Sequence, residues 1–168
     1  MLEISSLSVS HPQPRLTALL SVDENLAPVS WHMPISKEPF VYGVAMREEN
    51  YSHLLMKEKK EFALNFLDYR YVDVIDQMGA IHGDQANKFS LSKFTKKTAS
   101  SIKSTLIEEA YMIYECEVID ILSYGDHDIF VAQVKVIHKD EEQNPKQTLF
   151  LGRGNYTTTA EIKRIQRD

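Results

Sequence analysis

Apolar residues along this chain fall into short blocks, most of them with the length or period of a β-strand. Residues 16–22 (LTALLSV) and 40–46 (FVYGVAM) are apolar and β-compatible. Residues 61–67 (EFALNFL) alternate, with Phe62, Leu64 and Phe66 set against Ala63, Asn65 and Leu67. The two longest β candidates are 111–122 and 129–137, and the link between them, 123–128 (SYGDHD), has the composition of a tight hairpin turn. A charged turn at 140–146 precedes a last short strand over 148–151. Helical spacing is rarer. Asn50 is placed to cap a helix over 51–60, in which Tyr51, Leu54 and Leu55 share a face and the last turn is basic. Residues 71–78 read as a short helix ended by Gly79, and 82–94 as a polar connection with a helical turn or two. From Ala160 the chain is charged, a helix or a frayed end.

Strands dominate and the short helices are inserted, not regularly alternated. That order predicts a mainly β fold, an antiparallel barrel with helical insertions, over a doubly wound parallel sheet. No repeat, low-complexity tract or linker divides the sequence, so residues 1–168 are expected to form one domain.

Composition narrows the function classes. Hydrophobic residues at 43% and charged residues at 26% are those of an ordinary globular protein. A formal charge of −5 argues against a broad nucleic-acid surface, which needs a basic excess. No apolar run approaches the roughly 20 residues of a membrane helix, and residues 1–7 (MLEISSL) show no basic region followed by an apolar core, so no secretory signal is expected there. The lone Cys116 cannot pair internally and fits a reducing cytoplasm; within an apolar run it reads as a buried, inert thiol. GxGxxG, GxxxxGK[ST], HExxH and GxSxG are all absent, and the six histidines are scattered, so no metal site is expected.

Residues 25–36 (NLAPVSWHMPIS) stand out as a long connection between two strands that holds the only Trp and no Asp, Glu, Lys or Arg. Connecting loops are usually short and rich in Gly, Asp or Lys. Two readings stay open for it: a binding loop on a rigid scaffold, or a plug in which Trp31 fills a barrel end. Ser30 and Ser36 flank that Trp. Arg47, Asn50, Ser52 and His53 gather where a strand hands over to a helix, whose free N–H groups suit a phosphate; ordinary capping by Asn50 is the competing account. Lys88 is either a surface lysine or a second phosphate contact, and His127 lies at a hairpin tip between two aspartates.

Taken in order, NLAPVSWHMPISKEP, VAMREENYSHLL, EFALNFL, GDQANKF, EAYMIYECEV and YGDHDIFVAQV resemble the flavin reductase-like family, the FMN-binding split barrels, and within it the flavoredoxin-type members. The likeness runs from about Leu16 to Tyr156. It implies a six-stranded Greek-key split barrel that binds FMN, or FAD in its place, at a homodimer interface. By resemblance, Asn25 and Trp31 lie beside the flavin ring, and Ser30 and Ser36 match the hydroxyl positions of that loop. Ser52, flanked by Arg47 and His53, stands near the phosphate; Lys88 lies near the phosphate or ring edge; and Tyr156 closes the pocket. His127 matches a histidine that faces the flavin and is associated with nicotinamide access, which makes it the catalytic candidate. The implied activity passes electrons from NAD(P)H or a redox partner protein through FMN to an acceptor; a flavin carrier without turnover is the alternative. Ser52 departs from the commoner Thr.

Overall fold

The computed structural model describes residues 12–140 and 144–160. Its strands are β1 (Arg15–Leu16), β2 (Ala18–Val22), β3 (Asn25–Val29), β4 (His32–Ser36), β5 (Val41–Arg47), β6 (Glu61–Phe66), β7 (Lys96–Lys97), β8 (Leu106–Ile107), β9 (Met112–Tyr124), β10 (His127–Lys139), β11 (Leu149–Gly152) and β12 (Asn155–Thr157). Helix α1 (Tyr51–Lys59) joins β5 to β6, while α2 (Val72–Ala80) and α3 (Lys88–Ser92) lie between β6 and β7.

Seven strands form one antiparallel sheet in the order β3-β2-β6-β9-β10-β5-β4. Its two edge strands, β3 and β4, are consecutive in the chain and separated only by Ser30 and Trp31. Counted as one bent strand they close the sheet as a six-stranded barrel, with the amide of Ala45 donating to the carbonyl of Trp31 at 2.8 Å beside the bend. The β5-α1-β6 connection steps over the β9–β10 hairpin, the long return of a Greek key. The mainly β split barrel is therefore the observed class.

The stretch 25–36, expected as a loop, is in fact this bent strand. Edge position accommodates its prolines: Pro28 and Pro34 lie on the two strands whose outer side needs no ladder donor. Strand β2, between β3 and β6, is buried along its whole length. Ala18, Leu20 and Val22 face the barrel interior with Phe62, Leu64 and Phe130, whereas Leu19 packs outward with Leu26, Ile75, Met78 and Phe89 beneath α2 and α3. Those two clusters hold α2 and α3 against the bend, which places the ends of both helices beside residues 25–31.

Smaller differences have local causes. Gly79 does not end a helix: it lies inside α2, where a Cβ would stand 2.9 Å from Pro28, so it permits close packing on β3. Two residues, Gly125 and Asp126, make the β9–β10 turn with Gly125 at φ 65°, and His127 is thus the first residue of β10, not the tip. The strands β1, β7, β8 and β12 were not anticipated, being two or three residues each. Part of the charged turn at 140–146, and the tail beyond Ala160, lie outside the described residues. Among the described residues no helix is long and apolar enough to cross a membrane.

Candidate functional site

A cavity of about 420 Å³ opens where the β3–β4 bend meets the end of β5, the start of α1, the loop after α2, and α3. That volume lies within the roughly 300–1,000 Å³ of small-molecule sites. Seven of the ten residues that the family resemblance assigns to the site border it: Asn25, Ser30, Trp31, Arg47, Ser52, Lys88 and His127.

Asn25 and Ser52 form its buried polar corner. The Asn25 amide Nδ2 donates to Ser52 Oγ at 2.6 Å, and both side chains are buried. The serine hydroxyl proton stays available for a ligand, because Oγ accepts in this bond. Asn25 Oδ1 is buried without a hydrogen-bond partner, an acceptor on the cavity wall of the kind that a bound group satisfies. Gly83 lies against this corner so closely that a Cβ would come within 2.3 Å of Asn25 Oδ1 and 2.7 Å of the Tyr51 ring.

The start of α1 borders the same space. Asn50 occupies the cap position but its side chain makes no capping bond, so the first turn is not closed by its own sequence. Asn50 instead lines the cavity with Tyr51 and Ser52. Unpaired N–H groups at a helix start favour an anion. Opposite stands Lys88, only 5% exposed, donating to the carbonyl of Met78 at 2.7 Å. Burial lowers the pKa of its ammonium, which carries two further donors.

The mouth is aromatic and charged. The His127 ring stacks on Trp31 with centroids 4.6 Å apart, and the Arg15 guanidinium lies 5.6 Å from the indole centroid. His127 Nδ1 is 2.7 Å from Asp126 Oδ1, and Arg47 donates to Asp126 Oδ2 at 3.2 Å. The hydrogen bond with His127 holds the Asp126 carboxyl below its usual range, helped by the charges of His127 and Arg47.

The other three candidates lie elsewhere. Ser36 ends β4 beside Val41. His53, although adjacent to Ser52, points away from the cavity and bonds Asp128 Oδ2 at 2.8 Å; successive helix residues are about 100° apart, so the two cannot share a face. Tyr156 packs on Phe150, ring centroids 5.2 Å apart, and bonds Asp76 of α2; burial first, and then that carboxylate, raise its pKa. Gly83, Tyr51 and the segment from Met78 to Ile81 also line the cavity. They carried no chemical signal in the sequence, since their role is shape. Among the described residues Glu48, His53 and Asp128 bring ligand atoms within 4.8 Å of one another. The Lys57 ammonium, 3.6 Å from Asp128 Oδ2, already supplies positive charge there.

The chain is similar to several known proteins. An uncharacterized protein of Archaeoglobus fulgidus is 28% identical over 123 residues, covering 73% of this chain and 70% of that protein. The crystal structure of an FMN-binding protein from Thermus thermophilus with bound p-hydroxybenzaldehyde superposes with a TM-score of 0.88 at 23% identity, covering 99% of this chain and all (100%) of the other. Flavoredoxin from Methanosarcina acetivorans superposes with a TM-score of 0.87 at 20% identity, over 98% and 95% of the two chains. At these identities the structural likeness speaks for the fold. Residues 10–160 match the flavin reductase like domain, and the chain belongs to that family.

Proposed function

We propose that this cavity holds FMN and that the protein is a flavin-dependent oxidoreductase, taking electrons from NAD(P)H or a protein donor and passing them to an acceptor. The observation that carries this reading is the convergence of Asn25, Trp31, Ser52, Lys88 and His127 on one cavity from four separate parts of the chain. Their chemistry matches the parts of the cofactor. The start of α1, the Ser52 hydroxyl and the cations of Arg47 and Lys88 suit a phosphate dianion. Asn25 Oδ1, the buried acceptor without a partner, suits an N–H or O–H donor of the ligand. The wall from Asn25 to Trp31 carries no charged side chain and suits an uncharged oxidised ring. FAD is the alternative cofactor.

FMN, when bound, supplies the hydride and single-electron chemistry. The protein's part is to bind it, orient it and limit access. His127 stands at the mouth beside Trp31, with its Nδ1 engaged by Asp126, so its ring orientation is fixed where a second substrate would enter.

A homodimer accompanies this reading. Met33 and Ile35 on edge strand β4 are exposed next to Trp31, an apolar edge beside the mouth that a second copy would cover. Light scattering on the eluting flavoprotein is expected to give twice the chain mass; a monomer with FMN bound contradicts it.

The deciding experiment is the visible spectrum of freshly purified protein, followed by titration with FMN and FAD. A protein that stays colourless throughout sinks the reading. Stoichiometric binding is then tested with NADH and NADPH against free FMN. Binding without turnover, unrelieved by a protein donor, shifts the assignment to a flavin carrier.

A further inference from the structure

Behind the cavity wall lies a buried pair that the proposed binding chemistry does not use. His53 Nε2 and Asp128 Oδ2 are 2.8 Å apart, with side chains 5% and 2% exposed. Each follows a cavity residue by one position: His53 follows Ser52, and Asp128 follows His127. On β10 successive side chains face opposite ways, so His127 turns to Trp31 while Asp128 turns to α1.

The pair ties α1 to the β9–β10 hairpin. Asp128 also accepts from Ser123, its cross-strand partner on β9, and lies opposite Met46 of β5 in the ladder. His53 packs edge-on against Phe130, with centroids 5.2 Å apart, which limits its rotation. Lys57, on the next turn of α1, places its ammonium 3.6 Å from the same Asp128 oxygen. The start of α1 is therefore pinned to the β9–β10 hairpin at a single carboxylate, directly behind Ser52 and His127.

We propose that His53 and Asp128 are positioning residues that fix His127 on Trp31 and hold its distance from Ser52. Their relevance to cofactor use rests on the FMN reading above, because they would keep the phosphate end and the donor-access end of one site in register. Neither lines the cavity. Loss of the pair leaves the cavity residues present but lets the start of β10 move relative to α1.

The test is NMR of the ligand-free protein. A ring stacked on an indole has its protons shifted upfield, so the His127 ring protons report the stack directly, with Trp31→Ala as the reference for its absence. In His53→Phe that upfield shift is expected to fall by at least half, with recovery in His53→Gln, which keeps a donor for Asp128. Should His53→Phe fail to fold, the double variant His53→Phe/Asp128→Leu gives the same readout, since removing both partners strands no buried charge. FMN affinity of the folded variant is expected to stay within about threefold, as for loss of the His127 ring itself. A folded variant whose His127 shift is unchanged overturns the proposal, whatever happens to its stability. Wild-type protein that binds no FMN, while the His127 shift still depends on His53, refutes the FMN reading and leaves the positioning role standing.

Discussion

The imidazole of His127 lies on the indole of Trp31, centroids 4.6 Å apart and planes 19° from parallel. One ring comes from the bend that closes the barrel and the other from the first residue of β10. Their roles separate by mutation. Trp31→Ala removes a wall of the cavity and is expected to weaken FMN binding about tenfold, the upper end of what an aromatic pair contributes. His127→Ala keeps the wall, so FMN affinity stays within about threefold while flavin reduction by NAD(P)H slows about 10- to 100-fold through lost positioning. Fluorescence titration and stopped-flow reduction measure the two effects; equal loss of both in both variants contradicts the division.

Gly83 sets the shape of the polar corner. An added Cβ meets Asn25 Oδ1 at 2.3 Å and the Tyr51 ring at 2.7 Å, so Gly83→Ala must displace one of them. The Asn25–Ser52 bond is the part that gives. FMN affinity is expected to fall about tenfold, while the cost in fold stability stays near 1 kcal/mol, because the loop is not part of the barrel core. Isothermal titration beside urea denaturation distinguishes this from a general loss of structure.

How much of this site was legible beforehand follows from where its parts come from. Strands β2, β5, β6, β9 and β10 announce themselves through apolar runs and alternation, because each packs a face on the barrel core. Residues 25–36 did not, because edge strands tolerate proline and need no strong β-formers. Trp31, Ser52, Lys88 and His127 were visible as chemistry in unusual places. His53 was misplaced because sequence adjacency to Ser52 says nothing of its direction on a helix. Its partner Asp128 is 75 residues away, a pairing that only the fold creates. Tyr156 was placed near the pocket by resemblance, whereas its bond to Asp76 fixes it over α2.

Acid should release a second anchor. Glu115 is fully buried in β9, and burial alone would push its pKa up. Hydrogen bonds from His138, from the backbone and hydroxyl of Ser101 and from the backbone of Ser100 outweigh burial and hold it at about 2. Its folded pKa is thus below the ordinary 4.5, so the stabilisation is complete above pH 4.5 and is lost as pH falls towards 2. Glu115→Gln keeps the shape but not the charge. The wild-type advantage over it, on the order of 3 kcal/mol at pH 7, is expected to shrink through that window in urea titrations. An advantage constant from pH 7 to 2.5 refutes the account.

Lys88 exposes a conflict between folding and binding. Its ammonium is buried and donates to the neutral carbonyl of Met78, and burial depresses its pKa. A base with a lowered folded pKa makes the native state less stable wherever the unfolded chain is protonated, which includes neutral pH. Lys88→Met removes that desolvation cost and keeps most of the side-chain volume, so stability at pH 7 is expected to rise by about 1 kcal/mol. The same change strips a cation from the cavity. FMN affinity is expected to fall at least tenfold, and riboflavin, which has no phosphate, separates two causes: an unchanged riboflavin affinity assigns Lys88 to the phosphate, and a parallel loss assigns it to the ring edge. A variant that binds FMN as tightly as wild type shows that the buried charge serves neither end, and Lys88 then leaves the site.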